Sequence, residues 1–286
     1  MPPSIRYNER RHYDIQVKKM DKSSIIGVIL GVAAIGTGMV LKGVSPAVLV
    51  NPAALLIILA GTAATVIIGF PMSELKKIPK LLKIIFTEQQ LMSTEEMIRF
   101  FSDWAQTARR EGLLALEARL DEVDDAFLKN GLSLAIDGQS AEYIRDVLSE
   151  EIEAMEERHQ MGAAIFSQAG TYAPTLGVLG AVLGLIAALG NMSDTEVLGH
   201  AISAAFVATL LGIFTGYVLW HPFANKLKRK SKNEAKNKEI MLEGILSILA
   251  GESPRVIEQK LASYLPNEER IKLMEEITEG SVATNE

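Results

Sequence analysis

The sequence predicts an all-α membrane protein with four transmembrane helices, a large helical cytoplasmic loop between the second and third, and a cytoplasmic C-terminal helix. Three observations predict it. Four stretches, Ser23 to Leu41, Gly43 to Ser73, Gln160 to Ser193 and Val197 to Asn225, contain no Asp, Glu, Lys or Arg, and each reaches the roughly 20 residues needed to cross a hydrocarbon core. Basic residues gather after the second stretch (Lys76, Lys77, Lys80, Lys83) and after the fourth (Lys226, Lys228, Arg229, Lys230, Lys232), the pattern of flanks retained in the cytoplasm. The polar remainder carries helix-start signals and apolar residues at helical spacing.

Average composition does not separate the classes: 286 residues with 48% hydrophobic and 22% charged side chains suit a soluble protein as well. The arrangement of the charges decides, because buried core helices are usually shorter and interrupted by polar residues. The absence of cysteine removes disulfides, thiol nucleophiles and thiolate metal sites. A net charge of −6 says little about function.

In chain order, residues 1–23 are expected to be a cytoplasmic tail. Arg6, Arg10, Arg11 and Tyr13 show no apolar periodicity, and no cleavable signal is evident. Met20-Asp21-Lys22 is a candidate native start, which would make residues 1–19 an extension. The spans are expected at 24–42, 52–72, 161–191 and 199–221, with the loop over 73–160 and the C-terminal region over 222–286. The first connection offers only Lys42, and the third, Ser193-Asp194-Thr195-Glu196, has two acids and no base. Both read as short external turns, which leaves both termini in the cytoplasm.

Within the loop, Ser93-Thr94-Glu95-Glu96 is a capping box that opens a helix with Met97, Ile98, Phe101, Trp104, Ala105 and Ala108 on one face. Arg109-Arg110-Glu111-Gly112 follows. A later helix is expected from near Ser140 through Ile144, Val147, Leu148, Ile152 and Met155 straight into the third span. At 1.5 Å per residue, about 50 residues make a rod of roughly 75 Å.

The interiors of the spans hold no Asp, Glu, Lys or Arg, so this chain carries no carboxylate relay of its own. His159, His200 and His221 sit at span ends and His12 in the tail. Gly27 with Gly31 and Gly180 with Gly184 allow helix backbones to approach closely, either between subunits or within one chain. Pro174 removes a hydrogen bond to the Gly170 carbonyl, as a structural kink or as a functional hinge. Thr175 and Thr209 offer hydroxyls that could face an aqueous path or bond back to their own helix carbonyls.

Phosphate-loop, H-E-x-x-H and G-x-S-x-G motifs are missing, which argues against a conventional enzyme. No internal repeat supports a transporter. Asp121, Glu122, Asp124 and Asp125, with Glu150, Glu151, Glu153, Glu156 and Glu157, read as solvated faces or as a surface for a charge-reading partner. No catalytic residue, cofactor, metal ion or nucleic-acid partner is expected.

The run Ala108 to Glu117 (ARREGLLALE), the run Gly170 to Gly177 (GTYAPTLG) and Ala201 to Pro222 together resemble the MotA family of flagellar motor stator proteins, part of the MotA/TolQ/ExbB proton channel family. The resemblance is to its Bacillus type in particular and covers nearly everything after Met20. It implies a homo-oligomeric ring around a MotB dimer, whose single membrane helix supplies the proton-accepting aspartate and which anchors the complex to peptidoglycan. The ring would turn ion-motive force into torque on the rotor protein FliG. Residue by residue, it implies rotor contact by Arg109 and Glu117, eight apart on the loop helix, with Arg110 auxiliary. It places the family's two functional prolines on Pro174 and Pro222. Proton arrival at the MotB aspartate would change its attraction for polar groups near Pro174, Thr175 and Thr209. Sodium-type relatives have threonine where this chain has Ala181, which points to protons as the translocated ion. An ExbB- or TolQ-like energy transducer is the nearest alternative, opposed by four spans and the Arg109 to Glu117 motif; a passive membrane scaffold is the more distant one.

Overall fold

The computed structural model describes residues 19–190, 194–273 and 275. The expected tail before Lys19, residues 191–193 of the third connection and the end of the C-terminal region lie outside the described residues. Among the described residues every regular element is helical, apart from one isolated antiparallel bridge between Met20 and Thr87. Four helical runs are long and apolar enough to cross a membrane: Lys22–Leu41, Pro52–Gly69, and runs within Ala141–Leu189 and Thr195–Leu249. The chain is an all-α membrane protein with four such helices. It divides into two compact units, one made of residues up to Gln89 with Met161–Lys228, the other of Gln90–Gln160 with residues from Arg229 onward.

In the first unit, helix α1 (Lys22–Leu41) begins at Asp21, whose carboxylate accepts hydrogen bonds from the Ser24 amide and, at 2.7 Å, the Ser23 hydroxyl. Asp21 is only 8% exposed. A carboxylate so buried needs a cation, and Lys226 supplies one at 2.7 Å. The Asp21 amide donates to the Phe86 carbonyl at 2.9 Å and the Glu88 amide to the Lys19 carbonyl at 2.8 Å, so the start of α1 is tied to residues that follow α5. After a turn at Gly43 (φ 72°) and a 3₁₀ turn over Pro46–Leu49, the second span starts at α2 (Pro52–Leu55). Asn51 caps it, and Pro52 sits where a missing N–H costs nothing. A π-helical turn over Leu56–Ala60 leads into α3 (Gly61–Gly69).

Pro71 ends that span, and α4 (Met72–Leu75) and α5 (Ile78–Ile85) follow. Helix α5 is amphipathic. Ile78, Leu81, Leu82, Ile84 and Ile85 belong to apolar clusters with Val66, Leu75, Ile165, Phe166, Ala169 and Leu227, while Lys80 and Lys83 are exposed.

In the second unit, α6 (Thr94–Glu111) opens with the expected capping box: the Glu96 amide donates to Ser93 Oγ, and the Ser93 amide to Glu96 Oε2 at 2.8 Å. A 3₁₀ stretch over Leu113–Glu122 leads to α7 (Ala126–Ile136), capped by Asp125. Helix α8 (Ala141–Leu189) runs unbroken for 49 residues from this unit into the third span. The last membrane segment is α9 (Thr195–Phe214), followed by a π-helical stretch over Thr215–Trp220 that passes without a break into α10 (His221–Leu249). Helix α11 (Pro254–Ala262), capped by Ser253, closes the second unit. Its core joins Phe101, Trp104, Leu116, Phe127, Leu128, Ile144, Leu148, Ile245 and Ile257, all at most 2% exposed. Burial of each such side chain contributes about 1.5–3 kcal/mol. A Cβ on Gly244 would stand 2.5 Å from the Phe101 ring, so α6 and α10 meet at a glycine.

Candidate functional sites in the loop and the span crossing

Arg109 and Arg110 occupy the last turn of α6, where cations complement the carbonyl end of the helix dipole. Gly112 then takes φ 87°, a left-handed conformation that stops an α-helix. Glu117 therefore does not share a helix with Arg109, contrary to the sequence expectation. It lies on the 3₁₀ stretch beyond the break. Arg109, Arg110 and Glu117 are all exposed, and among the described residues none of the three forms an ion pair.

The residue that joins the two elements is Arg119, which sequence reasoning missed. Its Nη2 donates to Asp103 Oδ2 at 2.8 Å and to Glu122 Oε2 at 3.3 Å, and its Nη1 to Thr107 Oγ1 at 3.3 Å. The guanidinium lies 5.1 Å from the centroid of Trp104, which stacks on Phe100. Partial burial pulls the Arg119 pKa down, but the hydrogen bonds and charges of Asp103 and Glu122 outweigh it and hold it above the ordinary arginine value. With Leu116 buried at 1% exposure, this clamp fastens the 3₁₀ stretch to α6. The spacing of Arg119 and Glu122 was visible in sequence. The Asp103 and Thr107 contacts required the turn at Gly112.

In the membrane unit, the third and fourth spans cross along small residues. A Cβ on Gly212 would stand 2.7 Å from the Ala173 carbonyl oxygen, and one on Gly177 2.8 Å from the Ala208 oxygen. Gly180 and Gly184 continue the seam against the Cβ atoms of Ala208 and Ala205, at 3.3 and 3.4 Å from their own ideal Cβ positions. A Cβ on Gly31 would lie 2.6 Å from Val218, whereas Gly27 has nothing within 4 Å. Three of the four glycines picked out by spacing thus pack within the chain.

Pro174 lies inside α8 and donates no hydrogen bond to Gly170. The Gly170 oxygen comes within 2.8 Å of an ideal Cβ on Gly216, and Pro174 Cγ within 2.7 Å of the same point. Gly216 belongs to the π-helical stretch, so an irregular turn of the fourth span faces the proline of the third. Such π segments are frequent at functional sites. Five residues further along the same helical run, the His221 ring lies 2.8 Å from the ideal Cβ of Gly170, and Pro222 follows it as an exposed second residue of α10. The hydroxyls are engaged locally: Thr175 donates to the Tyr172 carbonyl at 2.7 Å and Thr209 to that of Ala205 at 3.3 Å. Ala181 is half-buried on α8. Among the described residues no three His, Asp or Glu side chains are placed to hold a metal ion.

Residues 25–112 match the model of the Motility protein A N-terminal region, and residues 119–240 that of the MotA/TolQ/ExbB proton channel family. Motility protein A of Bacillus subtilis (strain 168) is 68% identical over 257 residues, covering 90% of this chain and 95% of that protein. The structure of the flagellar MotAB stator complex from Bacillus subtilis contains a chain that superposes with a TM-score of 0.85, over 88% of this chain and 99% of that one, at 68% identity. The structure of C. jejuni MotAB gives 0.82 at 34% identity, over 87% and 97%.

Proposed function

The chain belongs to the Motility protein A branch of the MotA/TolQ/ExbB proton channel family, and from that premise we propose that it is the stator subunit that, with MotB, converts ion-motive force into torque on the flagellar rotor. The observation that carries the mechanism is a division of chemistry. The spans hold no Asp, Glu, Lys or Arg in their interiors, while the loop presents Arg109, Arg110 and Glu117 free of ion-pair partners among the described residues. An ion crossing here needs a carboxylate from another chain, and a MotB dimer enclosed by a ring of these subunits supplies it.

The crossing of the third and fourth spans is where that carboxylate acts. Pro174 and the π-helical turn at Gly216 leave the backbone irregular at one depth, and a change of charge on a neighbouring acid alters its attraction for the backbone dipoles there. One charge moving through 100 mV releases about 2.3 kcal/mol. A surface ion pair between the loop and FliG is worth about 0 to 1 kcal/mol, so a few ions suffice to break and remake such contacts. The protein resides in the bacterial inner membrane, and its lysine-rich flanks support a reading with both termini in the cytoplasm.

The test is motility. Cells deleted for this chain should be paralysed while bearing normal flagellar filaments. Wild type should restore swimming, and Arg109→Glu should not, at equal membrane abundance. Loss of abundance would make Arg109 structural; normal swimming of the deletion would remove the stator reading.

A further inference from the structure

Where the second span ends, the membrane unit contains a groove that the torque mechanism does not use. It has a volume of about 320 Å³ and is lined by Ala63, Val66, Ile67, Met72, Leu75 and Ile78, together with Lys76. That volume falls at the lower end of ligand sites, roughly 300–1,000 Å³. The wall is apolar because Ala63, Val66 and Ile67 recur at helical spacing on α3, and Pro71 turns Met72 and Leu75 back alongside them. Met72 and Ile67 are 59% and 55% exposed.

Charge is arranged asymmetrically around it. Lys76, Lys77, Lys80 and Lys83 are all exposed, and among the described residues none forms an ion pair. Glu74 is the one acid in the stretch from Glu74 to Lys83. An apolar slot in the bilayer zone that has Lys76 in its lining, in a stretch that carries three further exposed lysines, suits one kind of molecule: an acyl chain bearing a negative phosphate.

We propose that this groove is a binding site for an anionic phospholipid of the cytoplasmic leaflet, its acyl chain lying along Ala63, Ile67 and Met72 and its phosphate on Lys76. The lipid would pin α4 and α5 to the bilayer beside the second span. The site needs only the membrane placement of these helices, so it stands or falls separately from the stator reading.

The experiment is site-specific photocrosslinking of the intact subunit and its partner, reconstituted in vesicles of equal phosphatidylglycerol and phosphatidylcholine. A benzophenone residue replaces Met72, or Ile67 in a second preparation, and Ile29 on α1 as the reference for unselected lipid; adducts are identified by mass spectrometry. At Met72 the phosphatidylglycerol adduct should exceed its share at Ile29 about fivefold, the effect of one lysine near an anionic surface. Lys76→Gln should return the ratio to that of Ile29, whereas Lys80→Gln should leave most of the enrichment. Equal ratios at Met72 and Ile29, enrichment that survives Lys76→Gln, or a protein copy as the main adduct would each overturn the proposal.

Discussion

A methyl group is enough to test the crossing of the third and fourth spans. At Gly212 it would land 2.7 Å from a backbone oxygen, which cannot rotate away, whereas at Gly27 it would meet nothing within 4 Å. Gly212→Ala should therefore force the helices apart and destabilise the purified complex by about 1–3 kcal/mol, the usual range for overpacking. Gly27→Ala should stay within about 0.5 kcal/mol. Thermal unfolding of both variants checks the contrast, and equal midpoints would show that the seam relaxes without cost. The sequence offered Gly212 and Gly216 at the same four-residue spacing as the pairs that drew notice, yet spacing alone does not say which glycines face a backbone. The threonines were more legible. Both Thr175 and Thr209 satisfy themselves on their own helices, the commoner of the two fates open to them.

At the scale of elements, what was legible followed from side-chain pattern. The capping box at Ser93 and the continuous apolar stripe from Ile144 to Met155 specified α6 and the start of α8. The π-helical turns left no trace, because Leu56–Ala60 is uniformly apolar and its hydrogen-bond register depends on packing. Gly112 was readable as a helix stop, and the resemblance of the surrounding run obscured it. The consequence falls on Arg119. It donates from the 3₁₀ stretch to both Asp103 and Thr107 of α6, and so sets where Glu117 stands relative to Arg109. Arg119→Ala should free that stretch. Proteolytic nicking between Leu113 and Glu122 should accelerate severalfold, and stall torque should fall at unchanged abundance. Arg119→Lys keeps the charge but loses the planar fork, and should lie between the two. Unchanged nicking in the alanine variant would mean that Leu116 suffices to hold the stretch.

For the molecule as a whole, the order of spans was legible because charge is confined to the segments outside them. The chemistry of the ion was legible only in part, because the spans of this chain hold no carboxylate in their interiors. The position that the proposed proton coupling turns on is Ala181, seven residues and about two helical turns beyond Pro174, and so on the same face of α8. Sodium must exchange its hydration shell for oxygens of the path, and an alanine methyl offers none. A proton needs only the acceptor. Swimming speed at fixed membrane potential should therefore be independent of external sodium and should vanish when a protonophore collapses the gradient. Ala181→Thr restores a hydroxyl, yet Thr175 and Thr209 show where such a hydroxyl goes on these helices: to a carbonyl three or four residues back. The single substitution should leave speed insensitive to sodium. A wild-type speed that rises with sodium would place the dehydrating oxygens elsewhere on the path, on the carbonyls around Pro174 or on the partner, and would end the argument from position 181.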